Sequence, residues 1–327
     1  MEEYRMLTFG PVPSRRLGRS LGINNIPVKT CTYSCVYCQL GKTTNMTIKR
    51  RAFHEPERIF RDVKRKVDEA TRRNERIDYL SFVPDGEPTL ELNLGKQISF
   101  LRRIGIPIAV LTNASLIWQE EVRESLMEAD LVSLKVDAIG EDLWRRINRP
   151  HKGLGLNSVL EGMTEFSEEF KGTIISETML IDGINYGDQF ERMAEFLGNL
   201  KRIDKAYVAI PTRPPAEEWV KPAKEEIINS AFQAFSEKLG GNRVECLTGY
   251  EGSGFAITGD VEENLLSITA VHPMREEAVR EFLRGAKKDW KIVEMLLQEG
   301  KLKKLDYAGN TYFMRKLPTE NTERKNR

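Results

Sequence analysis

The chain has 327 residues, 40% of them hydrophobic, and its 50 Lys and Arg residues nearly balance its 49 Asp and Glu residues, for a formal net charge of +1. This balance excludes a strong overall field that would draw the protein to nucleic acid or to an anionic membrane surface. No apolar segment approaches the length that spans a bilayer, and residues 1–5 lack the apolar stretch that is typical of a signal peptide. We therefore expect a cytoplasmic protein without a membrane partner.

Short apolar runs alternate with amphipathic helical stretches after residue 51, which indicates parallel strands joined by helical crossovers. Strands are predicted at 20–26, 77–83, 106–111, 131–136, 173–180 and 206–210. Helices are predicted between them at 56–73, 94–104, 119–129, 158–170 and 188–200. The pattern favours an α/β fold, a partial (β/α)6 TIM-type barrel, whose chemistry belongs at the C-terminal ends of the strands.

The C-terminal third has a different pattern. A helix at 222–239 and a strand at 243–247 extend the barrel region, which we assign to residues 1–250. Helices at 275–283 and 290–299 precede two strands, 301–306 and 311–315, that can pair across a turn at 307–310. This order predicts a small winged-helix-like module at 265–317, followed by a disordered polar tail at 318–327.

Three of the four cysteines, Cys31, Cys35 and Cys38, lie within eight residues, directly after the first predicted barrel strand. Three thiolates can hold three corners of a 4Fe-4S cluster and leave the fourth iron open to another ligand. A structural zinc site is the alternative, although such sites usually have four ligands. Cys246 is distant in the sequence, and its setting in an apolar run predicts a buried thiol.

The CxxxCxxC spacing, with the aromatic Tyr37 just before its last cysteine, resembles the motif of the radical S-adenosylmethionine (SAM) superfamily. The resemblance implies that Cys31, Cys35 and Cys38 are the metal ligands and the catalytic centre. It also implies that the open iron binds SAM, that an electron donor such as ferredoxin or flavodoxin reduces the cluster, and that cleavage of SAM yields a 5′-deoxyadenosyl radical.

Further segments at the ends of later strands resemble the elements that line the SAM pocket in this superfamily. After the second strand, a Gly-Glu-Pro tripeptide resembles the family's GGEP turn, with Asp85 in place of its first glycine. Ser133 and Lys135 point to one side of the fourth strand because side chains alternate. The resemblance implies a SAM-binding set of Tyr37, Gly86, Glu87, Pro88, Thr112, Asn113, Ser133, Lys135, Asp137 and Ile181.

A second set of charged residues is assigned to the substrate. Arg15 and Arg16 lie in a basic segment before the first strand, and Arg213 lies in a proline-rich loop after the sixth. We expect both segments to flank the mouth of the barrel, where guanidinium groups suit a phosphate or a carboxylate. Glu177, an acidic residue within the fifth strand, is predicted to face the cavity and to contact ribose or substrate.

The segment 10–22 and the turn 85–89 resemble an uncharacterised prokaryotic group related to tRNA wyosine-base synthase, which implies a tRNA base as substrate. The archaeal synthase has additional N-terminal cysteines for a second cluster, whereas no cysteine precedes Cys31 here. The basic C-terminal module can contact RNA. Two alternatives stay open: a radical SAM enzyme acting on a protein or small metabolite, and a non-catalytic, zinc-stabilised nucleic-acid-binding protein.

Overall fold

An eight-stranded sheet curls into a half-barrel and carries most of the functional residues. The computed structural model describes residues 7–249, 255 and 260–316. Its strands are β1 (Thr8–Ser14), β2 (Gly18–Ile23), β3 (Thr30–Cys31), β4 (Asn45–Met46), β5 (Tyr79–Phe82), β6 (Ile108–Thr112), β7 (Leu131–Lys135), β8 (Thr173–Met179), β9 (Lys205–Ala209), β10 (Val244–Leu247), β11 (Met274–Arg275), β12 (Leu302–Tyr307) and β13 (Asn310–Arg315). Its helices are α1 (Pro56–Arg72), α2 (Leu94–Arg102), α3 (Glu120–Met127), α4 (Glu141–Ile147), α5 (Leu156–Glu169), α6 (Gln189–Asn199), α7 (Glu225–Leu239), α8 (Val261–Val271), α9 (Glu276–Gly285) and α10 (Lys291–Gln298).

The sheet has the strand order β1-β2-β5-β6-β7-β8-β9-β10. Every neighbouring pair is parallel except β1 and β2, which form an antiparallel hairpin. Helices in the crossovers cover the outer face; α1, for example, buries Ile59, Val63 and Val67, four residues apart on one helix face. The predicted partial barrel is confirmed, and its parallel strands include all six that the sequence predicts.

The two faces of the half-barrel have separate cores because strand side chains alternate. Outward residues such as Val110, Val132 and Val208 pack beneath the helices. Inward residues such as Leu131 and Tyr207 form a smaller cluster. Leu17, in the turn between β1 and β2, is 3% exposed and packs into this inner cluster, so the hairpin turn fills the end of the half-barrel opposite its catalytic edge.

Several elements differ from the sequence-based expectation. The segment before the first barrel strand is itself a strand, β1, and the short helix α4 and the helix α8 were not predicted. The helix expected at 222–239 begins at Glu225, because Pro222 forms a β-bridge with Ile181 and Lys224 is extended. The predicted hairpin at 301–315 is present as β12 and β13.

The C-terminal elements run in the order α8, β11, α9, α10, β12, β13, with the sheet order β11-β13-β12, which is the arrangement of a winged helix. They begin at Val261 rather than at 265. Their core includes Phe9 and Val12 of β1, so this C-terminal module packs directly on the half-barrel. The division into domains stays a prediction, and the predicted tail at 318–327 lies outside the described residues. No helix among the described residues is long and apolar enough to cross a membrane.

Candidate functional site

The cysteine loop lies at the C-terminal edge of the parallel strands. It follows β2, and its first cysteine, Cys31, belongs to the short strand β3, which pairs with β4. Backbone amides of the loop donate to the end of α4, from Ser34 to the carbonyl of Asn148 at 3.1 Å and from Val36 to that of Ile147 at 2.9 Å. The segment that follows β7 therefore holds the loop, and β7 itself ends at the same edge of the sheet.

The three thiols of this loop lie close enough to influence one another. Burial raises the pKa of each of Cys31, Cys35 and Cys38, and neighbouring thiols add to the rise at Cys31 and Cys35. The pKa of Cys35 rises to about 12. A metal cation that binds the sulfur of such a thiol displaces its proton, so three buried thiols on one loop are a donor set that suits a metal cluster.

Two amides stand beside these sulfurs. The side-chain nitrogen of Asn113 is 3.5 Å from the Cys31 sulfur, and that of Asn148 is 3.6 Å from the Cys35 sulfur. Such donors stabilise thiolate charge and tune an iron-sulfur cluster. Within the described ranges, no three His, Cys, Asp or Glu side chains form a group that could hold a single metal ion; the thiolates of a cluster bind separate irons. Cys246 lies on β10 and packs against the outer core.

The Gly-Glu-Pro turn after β5 is attached to the cysteine loop. The amide of Glu87 donates to the carbonyl of Thr30 at 3.2 Å, and a Cβ atom on Gly86 would lie 1.8 Å from that same oxygen. Only glycine permits this approach. Pro88 begins a short 3-10 turn, Pro88–Leu90, beside it. Gly86, which is predicted to approach SAM closely, therefore also allows the turn to pack against β3, the strand that carries Cys31.

Glu87 organises the end of β6. Its side chain, 1% exposed, accepts hydrogen bonds from the Thr112 hydroxyl at 2.5 Å and from the Asn113 amide at 2.7 Å, and also from Thr89. Burial raises the pKa of Glu87, and these hydrogen bonds oppose the rise. The carboxylate joins two predicted SAM-pocket segments, the Gly-Glu-Pro turn and the Thr-Asn pair, and Asn113 then reaches Cys31.

A second polar cluster joins Tyr37 of the cysteine loop to the end of β7. Asp137, 3% exposed, accepts hydrogen bonds from the Tyr37 hydroxyl, from the Asn148 side chain at 2.6 Å and from the Met179 amide at 2.8 Å. Burial, followed by the Asp137 charge, raises the pKa of Tyr37 well above its usual value. Tyr37 therefore stays a neutral hydrogen-bond donor that fixes the loop against β7.

The interior of the half-barrel contains an ion-pair network at mid-sheet. The Lys135 ammonium is 2.5 Å from Glu177 and 3.8 Å from Asp137, so Glu177 is the nearer of its two carboxylate neighbours. Arg16 also pairs with Glu177. Although burial opposes ionisation, the two cations hold the pKa of Glu177 at about 2. The prediction that Glu177 faces the cavity agrees with this position.

The expected location of Arg15 and Arg16 is wrong. They lie in the turn before β2, at the N-terminal end of the parallel strands and hence opposite the mouth. From there Arg16 reaches into the interior to Glu177, whereas Arg15 is half-buried in the turn. Arg213 does lie at the mouth, after β9, but it donates to the Gln39 side chain at 2.8 Å and lies 2.9 Å from the His272 ring nitrogen.

The remaining predicted SAM-pocket residues lie within β7 and just after β8. Ser133 is buried on β7 and shares the inward face with Lys135. Ile181, fully buried just after β8, donates its amide to the Tyr186 hydroxyl at 2.8 Å. The structure therefore brings the segments after β2, β5, β6, β7 and β8 together around the cysteine loop.

Sequence reasoning missed three polar residues of this region. Thr32 accepts hydrogen bonds from Asn113 at 2.8 Å and from Ser115 at 2.6 Å, and Asn148 contacts both Cys35 and Asp137. Two of them could have been found from the sequence, because Thr32 lies inside the cysteine motif and Ser115 lies two residues after the Thr-Asn pair. Asn148 could not have been found in this way, because the helix that positions it, α4, was not predicted.

Comparison with known proteins agrees with this geometry. The family description "Radical SAM superfamily" matches residues 25–197, more than half of the chain. The chain is 48% identical over 312 residues to a UPF0026 protein of Methanocaldococcus jannaschii, covering 95% of this chain and 96% of that one. The chain therefore belongs to the radical SAM superfamily, a class of enzymes, and within it to the UPF0026 family.

Two solved structures are similar to this one. A radical SAM methyltransferase from Sphaerobacter thermophilus is 16% identical with a TM-score of 0.52, and the similarity covers 71% of this chain and 66% of that one. It shares the fold. A structure of TYW1 with a lysine-pyruvate adduct bound is 15% identical with a TM-score of 0.47, over 91% of this chain and 80% of that one. Family membership implies SAM as a ligand of the chain.

Proposed function

We propose that the protein cleaves SAM reductively at a 4Fe-4S cluster held by Cys31, Cys35 and Cys38 and uses the resulting radical to modify a tRNA base. One observation carries the proposal: three mutually interacting thiols and the Gly-Glu-Pro turn are bonded into one unit at the C-terminal edge of a half-barrel. When bound, the cluster would pass one electron to SAM, releasing methionine and a 5′-deoxyadenosyl radical that takes a hydrogen atom from the substrate.

The residues of the chain contribute position, charge and exclusion of water. Asn113 and Asn148 donate toward the sulfurs of Cys31 and Cys35. The inward ammonium of Lys135 offers a partner to a carboxylate such as that of SAM, and the hydroxyl of Ser133 suits a ribose. A ferredoxin or flavodoxin of the cytoplasm is the electron donor that this chemistry calls for.

Two observations support a tRNA substrate. The motif residues at 10–22 and 85–89 resemble the group related to tRNA wyosine-base synthase. The C-terminal module carries many exposed cations, which suit a phosphate backbone: Arg284, Lys287, Lys288, Lys291, Lys301, Lys303, Lys304 and Lys316.

The cluster assignment is tested by removing one cysteine at a time. After anaerobic reconstitution, Cys35→Ala should lose visible absorbance, bound iron and sulfide, and formation of 5′-deoxyadenosine from SAM. Cys246→Ala removes the only cysteine outside the motif and should keep all three. Retention of the cluster by Cys35→Ala, or a reconstituted wild type that holds zinc without sulfide, would contradict the proposal.

The substrate assignment needs a separate measurement. Modified nucleosides in total tRNA should be compared between cells that contain the protein, cells that lack it, and cells complemented with Cys35→Ala. We expect one nucleoside to disappear without the protein and to stay absent with the variant. An unchanged nucleoside profile, together with intact SAM cleavage in vitro, would refute the tRNA substrate and keep the radical SAM activity.

A further inference from the structure

One face of the β12–β13 hairpin is turned toward the mouth of the half-barrel. Leu305 pairs with Tyr312 and Tyr307 with Asn310, so both tyrosines lie on this face. The Tyr307 hydroxyl donates to the Pro211 carbonyl at 3.0 Å and the Tyr312 hydroxyl to that of Thr212 at 2.8 Å. These carbonyls belong to the loop after β9, at the catalytic edge. The hairpin is therefore part of the wall around the mouth.

Lysines occupy the other end of the same face. Lys303 pairs with Met314, and residues 301, 303 and 305 share a face by alternation. The Lys316 amide donates to the Lys301 carbonyl at 2.7 Å, which extends the pairing by one position. Lys301, Lys303 and Lys316 are exposed. Lys301 pairs with Glu299 at 2.7 Å, which leaves Lys303 and Lys316 as the cations that this end offers.

Lys303 and Lys316 are diagonal neighbours on this face, because Lys316 stands opposite Lys301 and Lys303 lies two residues further along the same strand. In the part of the chain that the structure describes, neither of them has a carboxylate within 4.0 Å, whereas Lys301 beside them does. We call Lys303 and Lys316 the mouth lysines.

Like charges gathered without carboxylates repel one another, and an anionic ligand removes that cost. We infer that the mouth lysines bind the phosphate backbone of an RNA substrate beside the nucleotide that enters the half-barrel. This inference rests on the proposed tRNA substrate and names the surface that holds it. Phosphates recur along an RNA strand at short intervals, which suits a row of separate ammonium groups.

The position of these lysines favours RNA over an acidic protein. A base that reacts inside the half-barrel must pass the mouth, and the phosphates on either side of it then lie at the rim. An acidic electron donor needs only proximity to the cysteine loop, whereas Lys303 and Lys316 lie on a face whose tyrosines bond the loop after β9. The mouth lysines therefore lie beside the path by which a substrate base would enter the half-barrel.

The experiment measures tRNA affinity of the full-length protein from about 50 to 200 mM salt, for wild type, for Lys303→Gln with Lys316→Gln, and for a control double variant. The control, Lys171→Gln with Lys201→Gln, removes two exposed lysines just before β8 and β9, at the end of the half-barrel opposite the mouth, and loses the same charge. Each phosphate contact contributes roughly 0.7 to 0.9 to the slope of log affinity against log salt. The mouth variant should lose about 1.5 from this slope and the control much less.

The outcomes separate this inference from the proposed function. If wild type binds tRNA and the mouth variant keeps the full salt slope, the mouth lysines do not bind the RNA backbone, and the proposed tRNA substrate is unaffected. If wild type cleaves SAM but binds no tRNA at low salt, the substrate class fails, and this inference fails with it. A mouth variant that binds tRNA normally but is reduced more slowly by flavodoxin would assign the lysines to the electron donor instead.

Discussion

A charge-balanced group lies inside the half-barrel. Its two cations are Arg16 and Lys135, and its two carboxylates are Glu177 and Asp137. Burying any one of them alone would cost several kcal/mol, so each depends on the others. Arg16 comes from the hairpin turn at one end of the sheet, whereas Asp137 also holds Tyr37 of the cysteine loop at the other. A charged substrate group that enters this interior must therefore exchange with an existing partner.

Replacing Glu177 by Gln should destabilise the protein at neutral pH by about 3 kcal/mol, because Arg16 and Lys135 keep their charges without their shared partner. The native pKa of Glu177, about 2, lies below its unfolded value of about 4.3. Its ionisation therefore stabilises the fold above pH about 4.3 and loses that effect as the pH falls toward 2. Unfolding in urea at several pH values should show the difference between wild type and variant shrinking below pH about 5.

The matched control for this prediction is Glu245→Gln. Glu245 pairs with Lys205 at 2.6 Å across two neighbouring strands, but the two side chains are 44% and 41% exposed. Such a surface pair contributes about 1 kcal/mol or less, so the control should have nearly the stability of wild type. A Glu177→Gln variant as stable as this control, or a gap that widens toward acidic pH, would contradict the prediction.

At the scale of elements, the hairpin β1–β2 and the loop after β9 determine what surrounds the site. Pro11 and Pro13 argue against a central strand, and β1 accommodates both because it is the edge strand of the sheet. Its turn delivers Leu17 and Arg16 into the interior. The loop after β9 is held by hydrogen bonds from the C-terminal hairpin. In both elements, the tertiary contacts of the side chains cannot be inferred from the neighbouring residues in the sequence.

Sequence reasoning succeeded for residues that follow consecutive parallel strands. Because those strands end at one edge, the predicted barrel places Cys31, Glu87 and Asn113 close together. It failed for contacts made across the half-barrel, such as Arg16 with Glu177, which are 161 residues apart in the chain. Arg213 was predicted for the substrate because its loop is at the mouth; that its guanidinium instead meets Gln39 depends on tertiary packing.

Replacing Arg213 by Ala should loosen the junction of three segments. The guanidinium joins Gln39, one residue after the last motif cysteine, to His272 at the end of α8. Each lost hydrogen bond to a charged group costs about 1.5 to 3 kcal/mol locally. Hydrogen exchange should therefore accelerate at residues 38–41 and 211–216 and at the C-terminal end of α8, while α2 and α5 keep their protection.

Arg202→Ala is the matched control for this junction. Arg202 also donates two hydrogen bonds, to the carbonyls of Lys171 and Gly172, but at the N-terminal side of β8. It should change exchange only near those residues. Exchange at 38–41 that Arg213→Ala leaves at the wild-type rate would show that the guanidinium does not hold the cysteine loop.

For the whole molecule, the C-terminal module closes part of the open side of the half-barrel. Phe9 pairs with Gly22, and its ring occupies the space where a Cβ of Gly22 would lie, 2.0 Å from the nearest ring atom. Phe9, Val12 and Val83 then pack with the module core, as does Leu40 of the cysteine loop. On the opposite side the module bonds the loop after β9. The module is therefore a wall of the candidate site, built on a shared hydrophobic core.

A shared core predicts that the half-barrel and the module unfold together. Phe9→Ala on the barrel side and Phe282→Ala on the module side each remove a ring that is at most 5% exposed, at a cost of roughly 3 to 5 kcal/mol. Both variants should lower a single transition, with coincident curves from far-UV circular dichroism and from hydrogen exchange in α5 and in α9. An independent module would behave differently: Phe282→Ala would release α9 in an early transition while α5 kept the wild-type midpoint, and the half-barrel would then stand as a separate folding unit.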